Sequence, residues 1–359
     1  MKRCLSLVLA ILMLIALGLT AASCDSGAPA TSDSPKSDVS VNEHPSEQVK
    51  TTEEATKPVD NGKKHLIGFI VLQLTNEFYI TMLGGAEKYA EQHNIELMVQ
   101  GAEKANCADE QIGFIENMLA AGCEAIIISP DASEALLPGI KACQDAGVPF
   151  INIDTWLSKE MVEEAGLNPV PYIGTNNFNG AVKAGEWVAQ NYEKGTKLAL
   201  LDGLETHQNT HDRRNGFLEG AGDTVTIVAE QNADFEVDLG YTTMQNMLLA
   251  NPDIELVFCG NDNMAIGGYR AIQEAGLQDQ IGVIGYDATL EAVKMVKNGE
   301  LLGTVAQYPA KMAEIALEAA LKLIDGGTVD IYTDTGADLI TGAEIEDYLK
   351  YLSQYQDIS

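Results

Sequence analysis

The stretch LVFCGNDNMAIGG, residues 256–268, changes character in its middle. Residues 256–259 are apolar, which is typical of a short strand buried on both faces of a sheet. Three polar residues, Asn261, Asp262 and Asn263, follow at once, and the apolar residues after them recur at helical spacing. The stretch therefore predicts a buried strand, a tight turn and a helix, which together form one step of an alternating α/β fold.

The same alternation extends from residue 64 over most of the chain. Apolar runs predict ten strands, at 66–72, 96–100, 125–129, 149–154, 172–175, 197–202, 224–230, 256–261, 281–287 and 301–307. Helical patterns lie between them, for example at 78–93, 109–121 and 133–146. Strands of this kind, separated by amphipathic helices, indicate parallel sheets covered on both faces. Two such series predict an α/β protein with two doubly wound parallel-sheet lobes.

Start and stop residues support two of the later helices. Asp262 is expected to cap the helix that follows it, and Gly276 to end it. Pro309 is expected to begin the next long helix, which stops near Gly326 and Gly327. The last amphipathic segment, EIEDYLKYLSQYQ, predicts a short helix lying on one lobe.

The N-terminus carries an export signal. Residues 1–23 combine a basic start, an apolar run and three small residues, and are predicted to be a cleaved signal peptide. The small residues followed by Cys24 resemble a lipobox, in which that cysteine is lipidated; an uncleaved membrane anchor is the alternative. The rest of segment 24–62 is rich in Ser, Thr, Pro and acidic residues, which predicts a disordered tether.

Charge and cysteine usage exclude some functions. The formal net charge is −31 at pH 7, which argues against a partner made of nucleic acid. Beyond Cys24, four cysteines remain, and their apolar or helical surroundings favour buried free thiols over disulfides. They are Cys107, Cys123, Cys143 and Cys259. Their spacing does not suggest a zinc site.

Polar residues fall where the predicted strands end. In open parallel sheets, ligands bind just beyond the carboxyl ends of the strands. A single polar strand end is commonly a turn or a cap, but here six are polar: Gln73, Asp154, Asp202, Asn261, Asp287 and Gln307. Aromatic residues lie nearby, namely Phe78, Tyr79, Trp156 and Phe235. Amide and carboxylate groups bind hydroxyls and aromatic faces cover C–H faces, so the pattern predicts a site for a small polyol.

From residue 65 to about 340 the chain resembles type 1 solute-binding proteins of bacterial ABC sugar importers, nearest to the ribose-binding branch. The matching motifs, in order, are TNEFY, NIDT, HDRRNGF, QNADFEVDLG, CGNDNMAIGG, VIGYDAT and GTVAQYP. The resemblance implies sugar contacts at Asn76, Phe78, Tyr79, Asp154, Arg213, Phe235, Asn261, Asp287 and Gln307, to which Thr155 and Trp156 are added by position.

The resemblance also implies an architecture and a function. A three-segment hinge near residues 175, 307 and 336 would join an N-terminal lobe (65–175 plus 308–336) to a C-terminal lobe (176–307 plus 337–359). Closure of the lobes around a monosaccharide or related polyol would deliver it to the transmembrane subunits of an ABC permease. The protein would be a monomer without cofactor, exported and lipid-anchored on the outer face of the cytoplasmic membrane.

Two residues depart from the pattern of the pentose binders. Thr155 stands where that branch has an arginine, and Glu77 stands where it has a proline. Trp156 follows directly after Thr155. Loss of a two-pronged donor predicts that ribose itself is not the preferred sugar.

Other functions compete with sugar capture. A regulator of the Lac-repressor type shares the lobes but begins with a basic helix-turn-helix, where this chain has an export signal. A glycoside-cleaving enzyme needs paired carboxylates, for which Asp154, Asp202 and Asp287 are candidates. A metal-binding protein could use His207 and His211, which are four residues apart. Another small polar ligand, such as a signalling furanone, is a further alternative.

The turn at the start of this section carries two separate expectations. Asp262 is expected to act only as a helix cap, and its loss to reduce stability. Asn261 is expected to contact the sugar, and its loss to reduce affinity with little effect on stability.

Overall fold

The computed structural model describes residues 64–103, 107–131 and 134–358. The strands are β1 (His65–Gln73), β2 (Ile95–Ala102), β3 (Ala125–Ile128), β4 (Phe150–Ile153), β5 (Tyr172–Gly174), β6 (Thr196–Asp202), β7 (Val225–Asn232), β8 (Leu256–Cys259), β9 (Gly282–Asp287), β10 (Gly303–Ala306), β11 (Tyr332–Asp334) and β12 (Asp338–Ile340). The helices are α1 (Glu77–Gln92), α2 (Ala108–Ala121), α3 (Leu137–Ala146), α4 (Lys159–Glu164), α5 (Asn177–Asn191), α6 (Gln208–Ala221), α7 (Val237–Ala250), α8 (Asp262–Glu274), α9 (Leu290–Asn298), α10 (Pro309–Ile324) and α11 (Ile345–Leu352).

The strands form two sheets of six within these residues. The first has the order β11-β5-β4-β3-β1-β2, and its strand pairs are all parallel. The second has the order β12-β10-β9-β8-β6-β7, and only its edge strand β12 runs antiparallel, beside β10. Helices pack on both faces of each sheet, as the continuous apolar strands require. The predicted fold class is confirmed.

The chain crosses between the sheets three times. The crossings lie between β5 and α5, between β10 and α10, and between β11 and β12. We call the first sheet with helices α1–α4 and α10 the first lobe, and the second sheet with α5–α9 and α11 the second lobe. The carboxyl ends of strands β1, β4, β8 and β9 supply residues to one cavity between the lobes. This shared edge is the place where ligands bind in open parallel sheets.

Local sequence signals explain several boundaries. Pro309 is the first helical residue of α10, where its missing N–H is not needed, and Gly326 follows the helix with φ 77°. Strands β11 and β12 and helix α4 were not predicted. Each strand is only three residues long, which is too short to carry a recognisable period.

The predicted free cysteines are confirmed. Cys107, Cys123, Cys143 and Cys259 are all buried and unpaired by disulfides. Burial in apolar surroundings raises the pKa of Cys143 to about 12, so its thiol stays protonated and acts as a small hydrophobic side chain.

The predicted signal peptide, the lipidation site Cys24 and the tether lie outside the described residues. Every described residue belongs to one compact unit. Within the described ranges, no helix is long and apolar enough to cross a membrane.

Candidate functional site

A cavity lies between the two lobes at the carboxyl ends of their strands. About 480 Å³ of space between its lining residues is free of protein atoms, and part of this space is open to solvent. Its lining includes all of the ligand contacts predicted from the sequence except Trp156. The lining residues are Leu72, Gln73, Asn76, Phe78, Tyr79, Asp154, Thr155, Leu204, His207, Asn209, Arg213, Asp234, Phe235, Asn261, Asp287 and Gln307.

Hydroxyl groups hold Asp154 in the cavity wall. The Tyr79 and Ser129 hydroxyls each donate to its Oδ2 at 2.8 Å, and the Tyr172 hydroxyl donates to its backbone carbonyl at 2.8 Å. Its backbone is in the left-handed region, with φ 63°. Among the described residues no side chain is recorded as donating to Oδ1, so this oxygen is available to a hydroxyl in the cavity.

Arg213 is the buried cation of the site, with only 4 % of its surface exposed. Its Nε donates to Asn177 at 2.8 Å and its Nη1 to the carbonyl of Gly260 at 2.7 Å. Nη1 also lies 3.3 Å from Asp287 Oδ1. These contacts hold the guanidinium rigidly. Its Nη2 has no hydrogen-bond acceptor among the described residues. A fixed planar donor of this kind suits paired hydroxyls.

Asp287 is the second carboxylate of the cavity and lies in the other lobe. Burial raises its pKa, while nearby Arg213 and a hydrogen bond from Gln307 act in the opposite direction. Gln307 Nε2 donates to Asp287 Oδ1 at 2.7 Å. This orients the Gln307 amide, whose Oε1 is buried and finds no donor among the described residues. An unpaired buried acceptor is costly unless a ligand supplies the missing hydrogen bond.

Aromatic side chains cover the cavity from both lobes. Phe78 belongs to α1 and packs edge-on against Tyr79, and Phe235 precedes α7 in the second lobe. Phe235 has φ 63°, and its ring lies where a Cβ at Gly203 would be, so glycine is required at that position. Strained backbone at Asp154, Phe235 and Asp287 is concentrated around this cavity, which is common at functional sites.

The prediction that Asp262 is the N-cap of α8 is wrong, whereas the predicted sugar contact of Asn261 stays a prediction. Asn261 is the N-cap of α8, and its Oδ1 accepts from the backbone N–H of Met264 at 3.0 Å. Asp262 is the first helical residue and is fully buried; it accepts from the Thr289 N–H and hydroxyl and from the Thr304 hydroxyl. Asn261 also lines the cavity. Asn261 therefore both caps α8 and lines the cavity. Asp262 joins α8 to α9 and β10 through its hydrogen bonds.

The position of Trp156 also differs from the prediction. Asn152 bonds to the backbone on both sides of this residue, at the Thr155 carbonyl and the Leu157 N–H. This tight turn keeps Thr155 in the cavity and directs Trp156 to an aromatic cluster, edge-on to Tyr172 at 4.8 Å between ring centres. Trp156 lines a neighbouring pocket beside the hinge instead.

The sequence reasoning missed some lining residues. Gln73 was noted as a polar strand end but not as a contact, and Asn209 has no signal because it lies inside a helix. Gln73 and Asn209 also connect the lobes: Gln73 donates to Glu236 at 3.1 Å, and Asn209 donates to the Asp154 carbonyl at 3.5 Å.

The two histidines that were candidates for a metal site, His207 and His211, bond to different backbone carbonyls. His207 is buried, and its Nε2 contacts the backbone carbonyl of Asp131 in the first lobe. Burial lowers its pKa, so the ring is neutral at pH 7. His211 is bonded to the Glu205 carbonyl at 2.9 Å on the exposed side of α6. Within the described ranges no group of three or more metal-ligating side chains is found.

The carboxylates considered for glycoside cleavage are also not assembled as a set. Asp154 and Asp287 line the cavity, but Asp202 does not. Asp202 is buried at the end of β6, where burial raises its pKa to about 7.

Comparison with known proteins shows one consistent family. Residues 67–328 match the model of the periplasmic binding protein domain. The chain is 33 % identical over 289 residues to the D-ribose/D-allose-binding protein of Pseudomonas aeruginosa, covering 78 % of this chain and 89 % of the relative. It is 32 % identical over 275 residues to the ribose import binding protein RbsB of Bacillus subtilis, covering 76 % and 87 %.

Solved structures agree. An ABC transporter periplasmic solute-binding protein of Actinobacillus succinogenes, solved with bound D-allose, superimposes with a TM-score of 0.76 at 35 % identity, covering 79 % of this chain and 100 % of that one. The Caulobacter myo-inositol binding protein, solved with myo-inositol, gives a TM-score of 0.73 at 26 % identity, covering 81 % and 98 %. The resemblance stated from sequence motifs is confirmed.

Proposed function

Because this chain belongs to the periplasmic binding protein family, we propose that it captures a monosaccharide or related polyol and delivers it to an ABC importer. Its relatives are named for ribose and allose, and solved neighbours hold allose and myo-inositol. The cavity has the chemistry that such ligands need, since hydroxyls require donors and acceptors side by side.

The buried Oε1 of Gln307 is the observation that carries this proposal. It needs a donor that the described protein does not supply, and a sugar hydroxyl is such a donor. Arg213 Nη2 and Asp154 Oδ1 offer a further donor and acceptor around the same cavity. Phe78 and Phe235 would cover the C–H faces of the ring. No step of bond making or breaking is needed to account for these groups.

Closure of the two lobes would replace the solvent around the sugar with the cavity's polar and aromatic side chains. The lobes proposed to move are 65–175 plus 308–336 and 176–307 plus 337–359. In this structure the lobes are joined by hydrogen bonds at the cavity rim. Gln73 bonds to Glu236, and His207 bonds to the Asp131 carbonyl. A sugar that contacts both lobes would favour this arrangement by its differential affinity for it.

A panel of sugars tests the proposal. Because Thr155 supplies no guanidinium, we expect D-ribose to bind roughly tenfold or more weakly than the tightest of D-allose, D-tagatose, D-fucose and myo-inositol, by loss of one charged hydrogen bond. Titration calorimetry on protein unfolded and refolded to remove any carried sugar measures this ranking. Ribose binding tightest by tenfold would contradict it.

The same preparation distinguishes the alternatives. Melting with zinc and with a chelator would favour a metal binder if only zinc raised the Tm. If no sugar or polyol in the panel binds, the proposal of sugar capture is wrong.

We also propose that the protein acts as a monomer, lipid-anchored through Cys24 on the outer face of the cytoplasmic membrane, beside the permease subunits. Replacing Cys24 with serine removes the thiol that would be lipidated. We expect the C24S protein to leave the membrane fraction or to remain as the unprocessed precursor, as measured by fractionation and mass spectrometry. Unchanged mass and fractionation would contradict lipidation.

A further inference from the structure

The C-terminus does more than add a helix to one lobe. Helix α11 belongs to the second lobe, where Tyr348 and Leu352 join the apolar core. The Tyr348 hydroxyl donates to the backbone carbonyl of Gln307 at 3.1 Å, and Gln307 is a cavity residue. This much matches the prediction of an amphipathic helix lying on a lobe.

The residues after α11 cross to the first lobe. We call residues 353–358 the C-terminal strap. The Tyr355 hydroxyl bonds to Glu314 of α10 at 3.2 Å, and its ring lies 4.6 Å from the Lys88 ammonium of α1. The Tyr355 carbonyl presses against Gly84, where any Cβ would clash with it. Tyr355, within the segment 337–359 that the sequence assigns to the second lobe, therefore also contacts the first lobe.

The strap remains attached to the second lobe as well. Tyr355 packs against Tyr351 of α11 at 5.2 Å between ring centres, and Ile358 packs against the second lobe's core. The strap thus bridges α1 and α10 on one side and α11 on the other, outside the three crossings of the hinge.

Glu77 joins the two lobes beside the strap. It lies in the first turn of α1, and its Oε1 accepts from the backbone N–H of Leu290 at the start of α9. Gln356 of the strap donates to the same oxygen at 3.5 Å. A carboxylate at a helix N-terminus is favourable. Here the carboxylate and the helix come from different lobes.

These contacts lie at the edges of the cleft but not in its cavity. Helix α1 begins directly after cavity residue Asn76, and α9 begins three residues after cavity residue Asp287. The starts of these helices face one another across the cleft, so rotation about the hinge that separates the lobes would break the contacts. Contacts present in one state only shift the equilibrium toward that state.

We propose that the C-terminal strap, together with Glu77, is a clasp that stabilises the closed arrangement and slows release of the ligand. This rests on the proposed function of the cleft. The clasp raises the closed population without touching the sugar, so it increases affinity for every ligand by the same factor.

The test removes the strap's contacts and leaves the cavity and Glu77 in place. One variant ends at Ser353, and a milder one is Y355A, in case the shortened chain is unstable. The matched control is Q354A, because Gln354 is exposed within the same strap. D-ribose and D-allose are the probes. We expect about tenfold faster dissociation of both in stopped-flow measurements, with an unchanged ratio of their affinities.

A second measurement does not depend on a sugar. Small-angle scattering of the sugar-free proteins should give a larger radius of gyration for both clasp variants than for the parent and for Q354A. Equal radii for parent and variants would overturn the proposal, as would unchanged dissociation rates. If the parent binds neither probe, the proposed function is called into question, but the scattering comparison still decides whether the clasp exists.

Discussion

Replacing Arg213 with methionine should raise the Kd for the tightest sugar of the panel by at least about 100-fold. Methionine keeps much of the volume but removes every donor. The ligand loses at least one charged hydrogen bond, of about 1.5–3 kcal/mol. Asp287 also loses the cation beside it, although burial already raises its pKa, so it should become protonated more readily. Without Arg213, Asp287 and the Gln307 amide bonded to it are held less firmly, and this further weakens sugar binding.

The neighbouring residue of α6 provides the matched control. Arg214 carries the same charge but pairs with Glu230 on the surface, at 2.7 Å. R214M should bind the sugar nearly as well as the parent, because Arg214 pairs with Glu230 and is not among the residues that line the cavity. Calorimetry of both variants, with melting of the sugar-free proteins, separates binding from folding. Binding by R213M within threefold of the parent would exclude Arg213 from the site.

Much of the fold follows from the sequence because the signals are strong where the strands are buried on both faces. Runs such as residues 125–128 and 256–259 are continuous, apolar and buried. The edge strands β11 and β12 are only three residues long, and they pair with their sheets where the chain crosses the hinge. Such long-range pairing leaves no periodicity in a three-residue segment.

The candidate site was predictable in membership but not in detail. The polar strand ends Asp154, Asp287 and Gln307 reach one cavity because parallel strands end at the same edge. What the sequence could not show is how each group is oriented. Tyr79 differs from phenylalanine by one hydroxyl, and that hydroxyl, together with the Ser129 hydroxyl, occupies one oxygen of Asp154. Trp156 is adjacent to a cavity residue, yet the Asn152 bonds turn it away.

Caps and contacts were treated as alternatives, and the structure combines them. Asn76 and Asn261 each use Oδ1 to cap a helix, α1 and α8, while lining the cavity. An asparagine has an acceptor and two donors, so capping leaves the amide nitrogen for other partners. In Asn261 this nitrogen lies 3.3 Å from the Phe235 carbonyl. Asn261 therefore links the helix start to the aromatic wall of the cavity.

The contacts of Asp262 increase the expected difference in stability between two substitutions in the opening stretch. Asp262→Ala should lower the free energy of unfolding by about 2–4 kcal/mol, more than Asn261→Ala, which loses one cap of about 1 kcal/mol. Asp262 is fully buried, and the Thr289 N–H at 2.7 Å and the Thr304 hydroxyl at 2.7 Å would lose their acceptor. Relief of the cost of burying a carboxyl offsets part of this loss, which is why the value is not larger.

Urea unfolding of the two sugar-free variants measures this difference directly. Asp279→Ala is the control, because Asp279 is an exposed aspartate just beyond the same helix and should change stability by less than about 0.5 kcal/mol. The affinities should show the opposite order: N261A changes the cavity wall, whereas D262A leaves the lining residues in place if it folds. If D262A is no less stable than N261A, its three hydrogen bonds do not hold α8, α9 and β10 together. Asp262 would then contribute no more than an ordinary helix cap, as the sequence alone suggests.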